Sequence, residues 1–252
     1  VDAAVALDAD VLFVQEAWRG DHGVDLAREI ASRTGATAIT TPLAEGARVT
    51  GGTGTATWHP RGALLRGNRA LYLDSVRSLP ERQREDLGRA AGVERGEWCV
   101  GIVTRLDVVS SATVPLANLP RDRARRVLVE ATLAHETGRL TAFALHGAHL
   151  SHGSLGQYRE LRRHLDAVLG PDDPALLGGD LNCWGPIARR ALRGWRQAAR
   201  GRTWPSWRPH SQLDHLFVRG PVEVLGGGVV DARGSDHRPV VAVVALRGPT
   251  SR

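Results

Sequence analysis

The chain contains no lysine and no methionine, has two cysteines, and carries only two tyrosines and three phenylalanines. Each shortage excludes something. Two cysteines, Cys99 and Cys183, cannot build a disulfide framework, and their spacing lacks the paired pattern of a structural zinc site, so the core must hold itself by packing. No apolar run approaches the roughly 18 residues of a membrane-spanning helix. The longest, such as Pro239 to Leu246, have strand length. With no methionine and with Val1 at its head, the segment is expected to start downstream of the native initiation site.

What is present points to one folded unit. The 252 residues are 42% hydrophobic and 24% charged, enough for one sizeable core, and no repeat, low-complexity tract or long linker divides them. A single domain over residues 1–252 is therefore expected, and a cytoplasmic monomer is the default expectation. All 33 basic residues are arginine, against 27 acidic ones, giving a net charge of +6. A guanidinium fork matches phosphate oxygens bidentately, so a polyanionic partner gains weight. A coding bias toward Ala, Gly and Arg would give the same composition with no ligand at all.

Short apolar runs of β type alternate with helical patterns. Asp2 to Leu7 reads as the end of a helix, Asp10 to Gln15 as a strand, and Gly23 to Thr34 as a helix with Val24, Ala27, Ile30 and Ala31 on one face. Gly51 to Gly54 marks a turn. Strands are expected at Thr55 to His59, Gly62 to Leu65, Trp98 to Arg105 and Leu106 to Ser110, with a polar helix near Pro80 to Ala91. Arg126 to Leu133 and Leu140 to His146 look like paired buried strands turning at Glu136-Thr137-Gly138. Leu155, Tyr158, Leu161, Leu165 and Val168 recur at helical spacing, and Pro186 sits where another helix would begin. Ala175 to Leu177, Gln212 to Val218, Val222 to Leu225 and Pro239 to Leu246 complete the strands. The pattern implies an α/β domain with mixed sheets and helices outside.

Acidic, histidine and amide groups cluster where these strands end: Gln15-Glu16, Ala148-His149-Leu150, Gly179-Asp180-Leu181-Asn182, Gln212-Leu213-Asp214-His215 and Ser235-Asp236-His237. Each has a plain reading. A Glu after a buried strand is often the first solvated residue, a Gly-Asp pair is often a turn, His149 suits a half-buried imidazole, and Asp236 could cap the next strand. Asp214 is harder to dismiss. A carboxylate between Leu213 and Leu216 needs a partner to be buried at all.

In order, these segments resemble the motif series of the endonuclease/exonuclease/phosphatase superfamily, as do Arg126-Val-Leu-Val and Thr203-Trp-Pro-Ser-Trp207. The resemblance covers essentially the whole chain. It implies a four-layer α/β sandwich of two packed mixed sheets flanked by helices, and a hydrolase of phosphodiesters or phosphomonoesters that uses Mg²⁺ or Mn²⁺. By the same resemblance Glu16 is the principal metal ligand, Asp236 supports it, and Asp214 is the carboxylate behind His237. Asp180 orients the attacking water or is itself the base, a role that His237 can also fill. Asn182, two positions from Asp180 on extended chain, can donate its amide to the phosphate, and His149 would donate from across the pocket.

Less specific candidates surround these. Arg189 and Arg193 could grip a phosphate backbone or simply form a charged helix face. Trp204 and Trp207 could stack a base or sugar, or pack under the Pro205 turn. The family also opens with an asparagine-bearing central strand, which should precede Val1. Nucleic acid is the favoured substrate. Two alternatives stand beside it: a phosphatase or phospholipase on inositol phosphates or sphingolipids, because Pro205-Ser206-Trp207 and Ser235 to Pro239 are similar to segments of inositol-polyphosphate phosphatases, and a catalytically silent scaffold of the same fold.

Overall fold

Alternation along one strand sets the layers. In β6 (Gly138–His146), Phe143 and Leu145 turn toward one side and Ala142 and Ala144 toward the other, and all four are buried. The first pair packs with Tyr158, Leu161 and Leu165 of the helix α3 (Leu155–Val168). The second pair packs with Val100 and Ile102 of a facing strand, β3 (Val93–Thr104). A period of two thus buries both faces of the sheet, as a strand in the middle of a layered domain requires. The computed structural model describes residues 1–49, 93–117, 119, 122, 124–149, 154–232 and 234–247. The turn expected at Gly51 to Gly54, the strands at Thr55 to His59 and Gly62 to Leu65, and the helix at Pro80 to Ala91 lie outside these residues.

Six strands form the larger sheet, in the order β4 (Val108–Pro115), β5 (Val127–His135), β6, β7 (Ala175–Asp180), β9 (Asp214–Arg219), β8 (Arg196–Gln197). Among the described residues of this sheet only β6 and β7 run parallel, joined by the crossover through α3. The short helix α4 (Gly185–Ala191) follows β7, with Pro186 in its first turn. Facing this sheet lie the antiparallel set β1 (Val11–Gly20), β3, β2 (Thr37–Val49) and the pair β10 (Val222–Val229), β11 (Val240–Leu246). Helices α1 (Asp2–Ala6) and α2 (Leu26–Thr34) close the outer side, with Ala27, Ile30 and Ala31 packed on Ala17 and Val103. The succession is helix, sheet, sheet, helix. Among the described residues no helix is long and apolar enough to cross a membrane.

Some boundaries differ from the sequence reading, each for a local reason. Helix α2 starts at Leu26 because the Asp25 side chain accepts the Arg28 N–H at 3.1 Å and caps it, leaving Val24 outside. Strand β2 was not anticipated, since Pro42 and Gly46 interrupt its pattern; a register shift between Pro42 and Ala44 absorbs the break. Strand β4 runs on to Pro115 as an exposed edge whose serines and threonine carry no apolar alternation.

Two features place the site. At Gly178 of β7, a β-carbon would stand 2.1 Å from the Phe13 ring, so the glycine lets β1 lie directly on the larger sheet. Strand β1 packs over β6 and β7, and β11 over the neighbouring β9. The outer edges of β1 and β11, which no strand pairs with among the described residues, therefore face each other. A strand laid between them would join the two small sheets into one.

Candidate active site

Strand pairing sets three polar side chains in one row. His146, at the end of β6, pairs in parallel with Asp180 at the end of β7, and Asp180 pairs in antiparallel with Asp214 at the start of β9. Directly paired residues project from the same face of a sheet, here the face toward β1. His237 reaches this row from the segment between β10 and β11, with its Nδ1 2.7 Å from Asp214 Oδ2. Ligand atoms of Asp180, Asp214 and His237 lie within 4.8 Å of one another.

Loop hydrogen bonds hold the row in place. The Asn182 N–H donates to Asp180 Oδ1 at 2.7 Å, and the Asn182 side-chain amide donates to Gly147 O at 3.0 Å. Gly147 N–H donates to Asp180 O at 2.8 Å, and Leu181 N–H to Leu213 O at 3.0 Å, so the three strand ends are laced together. The Tyr158 hydroxyl donates to Leu181 O from α3. On the far side, Thr203 Oγ1 accepts from Leu213 and Asp214 N–H at 3.1 and 3.3 Å. Ser206 N–H donates to Asp236 O at 2.7 Å and Arg238 N–H to Thr203 O at 2.8 Å, so the Trp204 to Trp207 turn and the Ser235 to Arg238 segment hold each other.

Glu16 comes from the facing layer. The β1–β3 register breaks between Val14 and Ala17, and Glu16 sits in the break with a left-handed φ of 52°. Asn182 has a φ of 50°. Left-handed non-glycine residues cost on the order of 1–3 kcal/mol, and such strain concentrates at functional sites. Bulges re-aim side chains in the same way. Glu16 lies open to solvent at the rim, yet the protein crowding its carboxyl raises its pKa, and the charge of Asp236 adds to the rise.

The charges of the row are interlocked. Burial, then the charge of Asp214, pushes the Asp180 carboxyl up to about 7. Burial works against a charged His237, but the hydrogen bond to Asp214 and the charges of Asp214, Asp180 and Asp236 carry it up to about 9. His146 goes the other way: burial first, then Arg126 and His237, lowers it to about 3. At neutral pH the row holds a neutral imidazole at His146, a carboxyl near its midpoint at Asp180 and an imidazolium at His237.

Asp180, Asn182, Asp214 and His237 thus meet at one end of the interlayer, and the charges of Asp236 and His237 act on the Glu16 carboxyl. His149 lies exposed just past β6, and Leu150 is outside the described residues. Arg189 donates to Gln197 Oε1 at 3.1 Å; the Gln197 amide is 3.2 Å from His215 Nδ1, and His215 Nε2 donates to Cys183 O at 2.9 Å. That chain braces the Asp-Leu-Asn loop. Arg193 is exposed beyond α4. Trp204 stands edge-on to His210 with ring centres 5.2 Å apart, and Trp207 is half-buried. The sequence reading passed over His146. Only the parallel register with β7, invisible in a single sequence, reveals it beside Asp180.

The site's donors suit a hard cation. Glu16 and Asp236 supply carboxylate oxygens whose mutual repulsion a divalent ion would relieve, and solvent access leaves room for the waters such ions retain. The Asp180, Asp214 and His237 cluster fits less well as a cage, because Asp214 Oδ2 and Asp180 Oδ1 are already engaged by His237 Nδ1 and Asn182 N–H.

The family model for the endonuclease/exonuclease/phosphatase family matches residues 1–237. The chain belongs to that family. Members of the endonuclease/exonuclease/phosphatase family are phosphoester hydrolases, generally dependent on a divalent metal, and the chain is such an enzyme. A search of curated protein sequences finds no match. Among solved structures, a family protein from Leptotrichia buccalis C-1013-b superposes with a TM-score of 0.63 at 13% identity, over 96% of this chain and 90% of that one. The mannosyl-6-phosphatase Bt3783 of Bacteroides thetaiotaomicron gives 0.63 at 15%, over 97% and 91%. The human Nocturnin catalytic domain with bound sulfate gives 0.62 at 16%, over 96% and 83%. At such identities the likeness is one of fold.

Proposed function

We propose that the chain is a Mg²⁺- or Mn²⁺-dependent phosphodiesterase acting on nucleic acid. The observation that carries the reading is the Asp180, Asp214 and His237 cluster, with its 2.7 Å Asp214–His237 contact, standing beside the Glu16 and Asp236 pair. Glu16 and Asp236 would hold the cation, which when bound offsets phosphate charge and polarises the P–O bond. Asp180, poised near neutrality, takes the proton from the attacking water. As the water oxygen bonds to phosphorus, the bond to the leaving oxygen breaks. His237, kept as an imidazolium by Asp214, faces the growing negative charge on the phosphate. Asn182 spends one amide hydrogen on Gly147 O and has the second for a phosphate oxygen. His149 is the donor proposed from across the pocket.

The all-arginine basic complement and net charge of +6 favour a polyanionic substrate over a small sugar phosphate. A phosphatase reading keeps one specific support: the Pro205 to Trp207 turn is bound to the Ser235 to Arg238 segment through Ser206, the two stretches that are similar to inositol-polyphosphate phosphatases. A substrate panel separates them. Nicking of supercoiled plasmid in Mg²⁺ or Mn²⁺ is the expected result. Phosphate release from inositol polyphosphates without nicking transfers the activity to the second reading. Absence of phosphoester hydrolysis even by a chain extended before Val1, with tight partner binding, would leave a silent scaffold.

A further inference from the structure

Among the described tryptophans, Trp18 and Trp195 are buried and Trp98, Trp204 and Trp207 half-buried, whereas Trp184 is 57% exposed. Trp204, one of the pair singled out by the sequence, already meets the His210 ring at 5.2 Å. Trp184 has no aromatic partner among the described residues. A lone exposed apolar residue is common on any surface, so exposure by itself assigns nothing. Place and support assign more.

Trp184 follows the Asp-Leu-Asn loop at the end of β7, the end of the sheet where Asp180, Asp214 and His237 meet. It stands two residues beyond Asn182, so their Cα atoms are at most about 7 Å apart. A base attached to a phosphate at the Asn182 amide lies within reach of the indole. The loop under the ring is firmly held. Leu181 and Cys183 are fully buried, Leu181 N–H donates to Leu213 O at 3.0 Å, and the Cys183 carbonyl accepts from His215 Nε2 at 2.9 Å. The Trp184 carbonyl accepts the Ile187 and Ala188 N–H groups at 2.9 and 3.0 Å. A ring on such a pedestal loses little conformational freedom when a ligand covers it, which favours binding.

The surroundings select the ligand. Arg189 and Arg190 are exposed on α4, and among the described residues no other large apolar side chain is exposed on this loop or on α4. Insertion into a lipid surface needs an apolar face of several side chains, which this loop does not offer. A flat ring beside cations and a phosphate site suits an unpaired nucleobase. Every base presents a π face, and the strand that carries it presents charge to the arginines.

We infer that Trp184 is a base-stacking residue: it takes the unpaired base of a nucleotide flanking the scissile phosphate and so directs the enzyme to single-stranded nucleic acid. The inference rests on the nucleic-acid reading above and adds a strand preference to it.

The test measures kcat, KM and thermal midpoint of the wild type, Trp184→Ala and Trp184→Phe on three oligomers of one length: a single strand, its duplex, and a strand of the same backbone without bases. Anisotropy of a labelled single strand, with Asp180→Asn added to each protein, gives affinity without turnover. Trp184→Ala is expected to raise KM and weaken single-strand affinity roughly 5- to 100-fold, the loss of one base stack, with kcat and midpoint little changed. Trp184→Phe should restore most of that loss, and neither substitution should alter KM on the duplex or the base-free strand. A Trp184→Ala enzyme with wild-type KM and affinity on the single strand overturns the inference and leaves the nuclease reading standing. So does an equal loss on the duplex or the base-free strand. A wild type that neither cleaves nor binds any of the three oligomers removes the nucleic-acid reading, and the inference falls with it.

Discussion

Replacing His237 with alanine is expected to lower kcat by about 10²–10⁴-fold while the protein stays folded, the usual span for losing a positioned acid–base group. The side chain sits on a segment between β10 and β11, partly open to solvent, and its polar contact is Asp214. Its removal therefore opens little core. Asp214→Asn tests the same unit from the other end, because an amide cannot hold the imidazole cationic up to about 9. Both variants should lose activity by similar factors, and the double variant should lose little more, since the pair acts together. Steady-state kinetics on a soluble phosphodiester, with circular dichroism as the control for folding, checks this. Independent, multiplying losses would separate the two residues and contradict the assignment.

Asp180→Asn carries the second large expectation, again about 10²–10⁴-fold in kcat. The substitution is nearly isosteric and can keep the contact with the Asn182 N–H, so what it removes is the ability to take a proton. The pH dependence makes the argument sharper. A base must be ionised, so activity rises as pH passes the Asp180 value near 7; the imidazolium must keep its proton, so activity falls as pH passes about 9. The wild-type kcat profile between pH 5 and 10 should be a bell, and Asp180→Asn should lose the rising limb and keep the falling one. If the rising limb survived in Asp180→Asn and vanished in His237→Ala, the roles of the two residues would be reversed.

Much of this was legible residue by residue. Asp214 is the clearest case: an acid inside an apolar strand demanded a partner, and His237 meets it at 2.7 Å. The alternation in β5 and β6 and the apolar face of α3 announced the layers, because burial on both sides of a central sheet leaves a strong periodic mark. What escaped was information that pairing alone carries. His146 looked like one more residue in an apolar run until the β6–β7 register set it beside Asp180. Strand β2 hid behind Pro42 and Gly46, and the register break that holds Glu16 depends on β3, some 80 residues away. Arg189, read as a candidate phosphate clamp, is engaged through Gln197 and His215 in bracing the loop. Spacing on a helix could not distinguish those roles.

A titration of metal against phosphodiester hydrolysis, run on the wild type and on Glu16→Gln, probes whether the facing layers close on one cation beside the substrate. The expected wild-type result is a saturable rise with Mg²⁺ or Mn²⁺ that EDTA abolishes and fresh metal restores. Glu16→Gln should need roughly 10–100-fold more metal, the range seen when even supporting contacts of a metal site are lost. Hydrolysis indifferent to EDTA, or a Glu16→Gln curve that overlays the wild type, would contradict the account.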